Sequence, residues 1–475
     1  MYLRSFKHLI FTCLLTFAVS TSADNINLPD FGDSAGRLIS PEIENVIGRE
    51  FLRQIRLSAA LVDDPEINEY IRALGQKLAD NSDNPSQSFT FFVIDSPDIN
   101  AFAAPGGYIG INAGLILASE TESELASVMG HEIAHVTQRH LARAIEAQDQ
   151  LSIPSIVGLV AALLIGTQNS ELGSAALAAT QGASAQAQLN FIRSNENEAD
   201  FIGIQTLARA GLDPHGMPAF FERLQQASRY YGRPPEFLST HPVTVTRIAN
   251  SQARAREFGF RQVADSVDYH FVREKLRLRL NKRDMVKYYQ AVLKTGQHSN
   301  QTASQYAYCL ALARDGNYKE AEKQLAPLIK ADPQRLNYLL ARARLQIAQG
   351  NFQQGIKQYR QLMKDFPQDH TVTLYFSKAL IDLKQGEEAR TILHEHLRFR
   401  EADAEYYKLM SSAEDAAGYP LEAHQSLAEF HYLNGQTRSA IRQLDIALGL
   451  KIDNFFEKSK IQARRDQLKG ISLGE

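Results

Sequence analysis

The chain has 475 residues, a formal net charge of −3 and 44% hydrophobic residues. That length calls for two or three domains, and the near-neutral balance excludes the strongly basic surface of a nucleic-acid-binding chain. Of two cysteines, Cys13 lies near the start and Cys309 stands alone thereafter, so no internal disulfide is expected.

Residues 1–23 read as a secretory signal: Arg4 and Lys7, a largely apolar run from Leu9 to Val19, then Thr21-Ser22-Ala23 before Asp24. The apolar run falls short of the roughly 20 residues that span a bilayer, so export without a transmembrane anchor in the mature chain is expected. Cys13 is followed by hydrophobic residues, which argues against a lipoprotein site. Ser40-Pro41 and Asp64-Pro65 each pair an N-cap residue with a proline at the first helical position. Residues 89–94 and 108–112 have the composition of strands. The N-terminal part, residues 24–260, is expected to be α+β and mostly helical.

The most informative run is His131-Glu132-Ile133-Ala134-His135. Residues at i and i+4 share a helix face, so both imidazoles can reach one metal ion. Glu132 projects beside them and can take a proton from a metal-bound water. The helix is expected to start at Ser119 as N-cap with Glu122 as the capping-box partner. Leu125, Val128, Met129 and Ile133 form its apolar stripe, and no proline interrupts it to about Ala147.

A catalytic zinc site needs a third protein ligand. His140 is one residue out of register for a third histidine and reads as a polar helix residue. Glu146 is too near along the same helix, and Glu171 lies in a Gly/Ala/Ser-rich stretch. Glu196 and Asp200 stand at i and i+4, which offers one carboxylate to the metal and a second to the far ring nitrogen of a ligand histidine. Glu198 fits better as a first-turn acid complementing a helix dipole. Residues 151–188 carry an apolar run, Ile153 to Ile165, too short to cross a membrane. That stretch reads either as a helical hairpin over the site or as a buried core helix.

From about Asp268 the chain is helical and repetitive. Asp315-Gly316-Asn317-Tyr318 with Ala321 and Pro333 is echoed by Gln349-Gly350-Asn351-Phe352 with Gly355 and Pro367, 34 residues on. That is the tetratricopeptide period. Gln385-Gly386-Glu387 with Ala389 continues it at slightly longer spacing, and Asn434-Gly435-Gln436 with Ala440 marks a degenerate turn. Residues 261–475 are therefore expected to stack as an α-solenoid with a protein-binding concave face. Cys309, among Tyr308, Leu310 and Ala311, reads as a buried small residue.

The H-E-x-x-H run followed at a distance by E-x-x-x-D resembles the gluzincin family that includes the CAAX prenyl proteases and the bacterial heat-shock membrane protease. Residues 100–109, Asn-Ala-Phe-Ala-Ala-Pro-Gly-Gly-Tyr-Ile, resemble the family's substrate edge strand. Ser239-Thr240-His241-Pro242 with Arg247-Ile248 resembles its S-x-H-P-x-x-x-x-R-I signature, and soluble members bearing tetratricopeptide repeats match best. The resemblance implies one zinc ion per chain held by His131, His135 and Glu196, with Glu132 as the base and Asp200, His241 and Arg247 as supporting or regulatory residues. It implies substrate contacts at Ala103, Gly107, Tyr108 and Ile109, with peptide adding along a 108–112 edge. It further implies a periplasmic endopeptidase with chaperone activity. Its clients would be unfolded or misassembled outer-membrane β-barrel proteins, and its repeats would dock on the barrel-assembly machinery. His241 has three readings: a structural histidine, a donor to the transition-state oxyanion, or a reversible fourth zinc ligand. The rival from another class is a repeat-scaffold chaperone whose zinc domain is structural or repressed. Processing of prenylated peptides fits the family but not the secretory signal.

Overall fold

The computed structural model describes residues 40–146, 183–231, 235–259 and 261–472. The expected signal at 1–23 and most of the expected hairpin at 151–188 lie outside the described residues. No helix among the described residues is long and apolar enough to cross a membrane.

Two proline-led helices open the fold, α1 (Pro41–Ser58) and α2 (Pro65–Asp80). Ser40 accepts from the Ile43 N–H, and Asp64 from those of Glu66 and Ile67, as the two dipeptides predict. Three short strands follow: β1 (Thr90–Ile94), β2 (Ala101–Ala104) and β3 (Tyr108–Asn112). Their order is β1-β3-β2, with β1 parallel and β2 antiparallel to β3. Side chains alternate between two layers. Phe92, Ile94, Phe102 and Ala104 meet Ile47, Phe51 and Ile55 of α1, while Val93, Ala101, Ile109 and Ile111 face the main core with α2.

The order corrects one expectation. Strand 108–112 is central, paired on both sides, and has no edge to offer a peptide. The outer side of β2 has no strand partner among the described residues.

After α3 (Ala113–Ala118) comes the motif helix, α4 (Glu122–Thr137). Its N-cap is Thr121, whose hydroxyl accepts from the Glu124 N–H, and not Ser119, which is buried as the C-cap of α3. Leu125, Val128, Met129 and Ile133 are buried as their spacing predicts. The helix also ends earlier than the absence of proline suggested. Gln138 caps it, Arg139 takes a left-handed φ of 54°, and α5 (His140–Glu146) starts afresh.

A 27-residue helix, α6 (Ala183–Arg209), packs on α4. The crossing is close because glycines face each other: a Cβ on Gly130 would stand 3.4 Å from the Gly203 carbonyl oxygen. Helix α7 (Gly216–Tyr231), the one-turn α8 (Phe237–Thr240) and α9 (Val245–Glu257) complete this half. Helix α10 (Val267–Leu280) joins the halves. Tyr269, Val272 and Leu276 enter the main core, while Phe271 and Leu278 enter the first repeat core.

The solenoid runs from α11 (Met285–Thr295) through four helix pairs: α12 and α13 (Gln301–Arg314, Tyr318–Ala331), α14 and α15 (Leu336–Ala348, Phe352–Asp365), α16 and α17 (His370–Asp382, Gly386–His396), and α18 and α19 (Ala404–Ala416, Pro420–Leu433). It closes with α20 (Thr437–Gly449) and α21 (Phe455–Ser472). Within each pair the turn holds one left-handed residue: Gly316, Gly350, Lys384 and Gly418, each 34 positions after the last. The buried small residues Ala321, Gly355, Ala389 and Ala423 follow the same step. The spacing therefore does not lengthen at the third repeat, because Lys384 and not Gly386 holds the left-handed position. Cys309 is buried, as expected.

The solenoid wraps the N-terminal half. Glu66 of α2 is buried among Lys275 Nζ (2.8 Å), Asn337 Nδ2 (2.9 Å) and Tyr375 Oη (3.2 Å). Farther along, Arg53 of α1 donates to the Tyr432 carbonyl (2.9 Å) and the Thr437 hydroxyl (2.5 Å), and Arg56 donates to the Leu433 carbonyl (2.9 Å).

Candidate metal centre

Four side chains from three elements converge: His131 and His135 of α4, Glu196 of α6 and His241 at the end of α8. One ligand atom from each lies within 4.8 Å of all the others. The Nε2 atoms of His131 and His135 are 3.0 Å apart, and Glu196 places its two oxygens 3.5 and 3.4 Å from them. His241 Nδ1 stands 3.0 and 3.1 Å from the Glu196 oxygens and 3.4 Å from His131 Nε2.

Of the four donors, His131, Glu196 and His241 are held from behind. Asp200 Oδ1, one helical turn after Glu196, stands 3.0 Å from His131 Nδ1. Arg247 of α9 grips Asp200 with two bonds of 2.7 Å and reaches Glu196 Oε2 at 2.9 Å and the Pro242 carbonyl at 3.0 Å. One guanidinium thus ties the long helix, the histidine turn and α9 together. Phe237 stacks on His241 with ring centroids 4.7 Å apart, and its N–H is bonded to the Ile99 carbonyl beside β2.

The donor set fits a cation. Burial alone would lower the basicity of His131, yet Asp200 and Glu196 outweigh it and raise its pKa to about 9. Burial pushes Glu196 upward, but His241 and His131 hold it well below the usual carboxylate range. Burial and the neighbouring imidazoles keep His135 neutral, the form a metal requires. Two histidines that share a helix face, a carboxylate from a second helix and a third imidazole are nitrogen and oxygen donors of the kind zinc takes.

Glu132 lies beside the donors and is buried. Its Oε1 has no hydrogen-bond partner, and His241 Nε2 stands 3.4 Å from it. Burial raises its pKa, while the Ala103 backbone N–H acts against that rise. A carboxylate with an elevated pKa can accept a proton and return it.

The structure thus brings together His131, Glu132, His135, Glu196, Asp200, His241, Arg247 and Ala103. It does not bring in three others. Ile109 is wholly buried in the core, Gly107 packs on the Ser88 carbonyl, and Tyr108 packs on Gly48 of α1. Two features went unforeseen. Gly130 and Gly203 set the helix crossing, and their signal was present in a glycine beside the motif and another seven residues after Glu196. His140 turns back onto His135, for which the sequence carries no signal, because the left-handed Arg139 is not a glycine.

Comparison with known proteins agrees with this geometry. Residues 65–255 match the model of peptidase family M48, and residues 346–413 match a tetratricopeptide repeat. The chain is 34% identical to the β-barrel assembly-enhancing protease of Escherichia coli K12, over 96% of this chain and 93% of that one. The chain belongs to this family. A putative β-barrel assembly-enhancing protease of Vibrio cholerae is likewise 34% identical, over 94% of this chain and 93% of that one. Mitochondrial metalloendopeptidase OMA1 of Danio rerio is 30% identical over 42% of each chain. The family makes the chain a metalloendopeptidase with tetratricopeptide repeats, and a metal is implied at the four donors.

Proposed function

We propose that this protein is a zinc-dependent endopeptidase of the periplasm that clears unfolded or stalled β-barrel proteins during outer-membrane assembly. The convergence of His131, His135 and Glu196, with the buried Glu132 carboxylate beside them and its Oε1 unpaired, carries this reading. The coupling to barrel assembly rests on the name of the relatives, and the periplasmic address on residues 1–23. Residues 24–260 form the catalytic unit and 261–475 the repeats, which supply chaperone contacts and a dock for the barrel-assembly machinery.

His131, His135 and Glu196 would hold one zinc ion, which would supply the Lewis acidity that makes water nucleophilic near neutral pH. Glu132 takes the proton of the attacking water and returns it to the leaving amine. The peptide lies as an added strand along the free side of β2, where backbone groups are read more than side chains. Ala103, whose N–H meets Glu132, fixes the distance from that strand to the base. Asp200 orients His131, and Arg247 neutralises the two carboxylates that would otherwise repel.

A second reading concerns the resting state, and the short His241–Glu196 contacts favour it. With Nδ1 inside the donor set, His241 would take the place that water and substrate need, so the resting enzyme would cut slowly until the turn moves. In that state the chain acts as a repeat-scaffold chaperone.

The test compares zinc-loaded parent, Glu132→Gln and His241→Ala on unfolded casein, with bound zinc measured in each. Glu132→Gln should keep its zinc and lose about 10²–10⁴-fold in rate, whereas His241→Ala should cut faster than the parent. Equal cleavage by the parent and Glu132→Gln would sink the enzyme assignment, and unchanged or lower cleavage by His241→Ala would sink the silencing.

A further inference from the structure

His131 has Asp200 behind it; the partner of His135 is another histidine. His140 Nδ1 lies 2.8 Å from His135 Nδ1, and its Nε2 lies 3.1 Å from Glu198 Oε2, which Arg143 Nη2 also meets at 3.1 Å. On an unbroken helix His140, five residues after His135, would point about 140° away. The chain instead breaks between the two. Gln138 caps α4, and Arg139 adopts φ 54°, a conformation that costs a side-chain-bearing residue on the order of 1 kcal/mol. Arg139 is held there by two bonds from its guanidinium to Glu44 Oε1, at 3.1 and 2.9 Å. Local strain kept in place by a long-range ion pair marks a position with a task, and the break leaves His140 buried, edge-on to His135, with ring centroids 4.8 Å apart.

We propose that His140 and Glu198 are positioning residues for the metal: with Arg143 they form a relay that fixes the tautomer and orientation of His135. The proton pattern has one consistent solution. His135 Nε2 faces the other donors and carries no proton, so Nδ1–H donates to His140 Nδ1. The proton of His140 is then on Nε2 and donates to Glu198, which also accepts from Arg143. Every bond in the chain runs outward, from the metal ligand to an ion pair at the surface. The inference rests on the metallopeptidase reading and adds a second ligand support, on α5, to the one that Asp200 provides.

The zinc affinity of the full chain tests it, measured by competition with a chromophoric chelator for the parent, His140→Ala, Glu198→Ala and His215→Ala. His215 is a half-buried histidine whose partner is Asp213, and its variant controls for the loss of an imidazole. Removing such a support weakens metal binding about 10–100-fold, so His140→Ala should fall in that range. Glu198→Ala, which leaves no buried cavity, should lose several-fold, and His215→Ala should match the parent. At saturating zinc both relay variants should recover most of the parental kcat on casein, because neither touches substrate. Relay variants that bind zinc within twofold of the parent would overturn the relay, as would recovery by neither variant at saturating zinc. A parent that binds no zinc would overturn the metallopeptidase reading itself.

Discussion

The two halves of the molecule place their important residues by opposite means. In the solenoid, position follows from count: the left-handed turns at Gly316, Gly350, Lys384 and Gly418 recur every 34 residues, and each repeat packs mainly on its neighbour. In the N-terminal half nothing repeats. The donors come from positions 131, 135, 196 and 241, and their second supports from 200, 247 and 140. A repeat array distributes its stability, so one substitution is diluted over many similar interfaces. The metal centre concentrates its own in a few buried charged groups, and one deletion there has no substitute nearby.

The sharpest way to break that contrast is at Arg247. Arg247→Ala removes the guanidinium that pairs Glu196 and Asp200 and leaves them only the His131 imidazolium, a change worth up to about 3–5 kcal/mol. The expected result is a large fall in the thermal midpoint of metal-free protein, partly restored by zinc, which supplies positive charge at Glu196. A variant as stable as the parent would mean that the ion-pair network is dispensable and that the centre is no more concentrated than a repeat.

Next in size is the seam. Glu66→Ala removes the acceptor shared by Lys275, Asn337 and Tyr375, on the order of 2–3 kcal/mol for bonds to a charged group. Lys275 keeps Asp64 at 2.7 Å, so the loss stays below that at Arg247. Calorimetry should resolve two transitions for the variant and one for the parent. A single transition, merely shifted, would mean that the remaining contacts, those of Arg53, Arg56, Lys275 with Asp64 and Arg400 with Glu69, suffice to hold the halves as one unit.

How much of each half was legible follows from the same contrast. The cluster of candidate donors could be read because chemistry restricts the residue types and the helical period restricts the spacing. The repeats could be read from their glycines, up to the point where a lysine took the glycine's place. Strand order could not be read: strand 108–112 looked like an edge by resemblance, yet it is the middle strand, because pairing partners are decided by packing on α1 and α2. The role of His140 was hidden for a similar reason, since it depends on a break held by Glu44, 95 residues away.

A smaller effect sharpens the comparison at the seam through pH. Burial raises the pKa of Glu69, but Arg72 and Arg400 outweigh it and bring the group from 4.5 down to about 2. A depressed carboxylate contributes stability that is fully present above its unfolded pKa and lost as pH falls through the folded one. The contact between α2 and the solenoid should therefore hold above pH 4.5 and weaken between about pH 4.5 and 2. Urea midpoints across that window should fall more steeply for the parent than for Glu69→Gln. Parallel curves would place the acid sensitivity elsewhere.

The smallest effect comes from the solenoid, where the comparison expects dilution. Lys384 is exposed and holds the left-handed position that glycine fills in three sister turns, with φ 61° against 78°, 82° and 85°. Lys384→Gly relieves backbone strain of about 1 kcal/mol, while the added freedom of glycine in the unfolded chain returns part of that gain. The net expectation is a rise in stability of a few tenths of a kcal/mol, read as a higher urea midpoint with an unchanged slope. The reverse substitution, Gly350→Lys, should lower the midpoint by a similar amount, because a Cβ built there meets no atom within 4 Å and only the backbone is charged with the change. Opposite shifts of equal size would show that the 34-residue step is a backbone rule that side chains merely obey. A large loss at either turn would show instead that the solenoid, like the metal centre, depends on single positions.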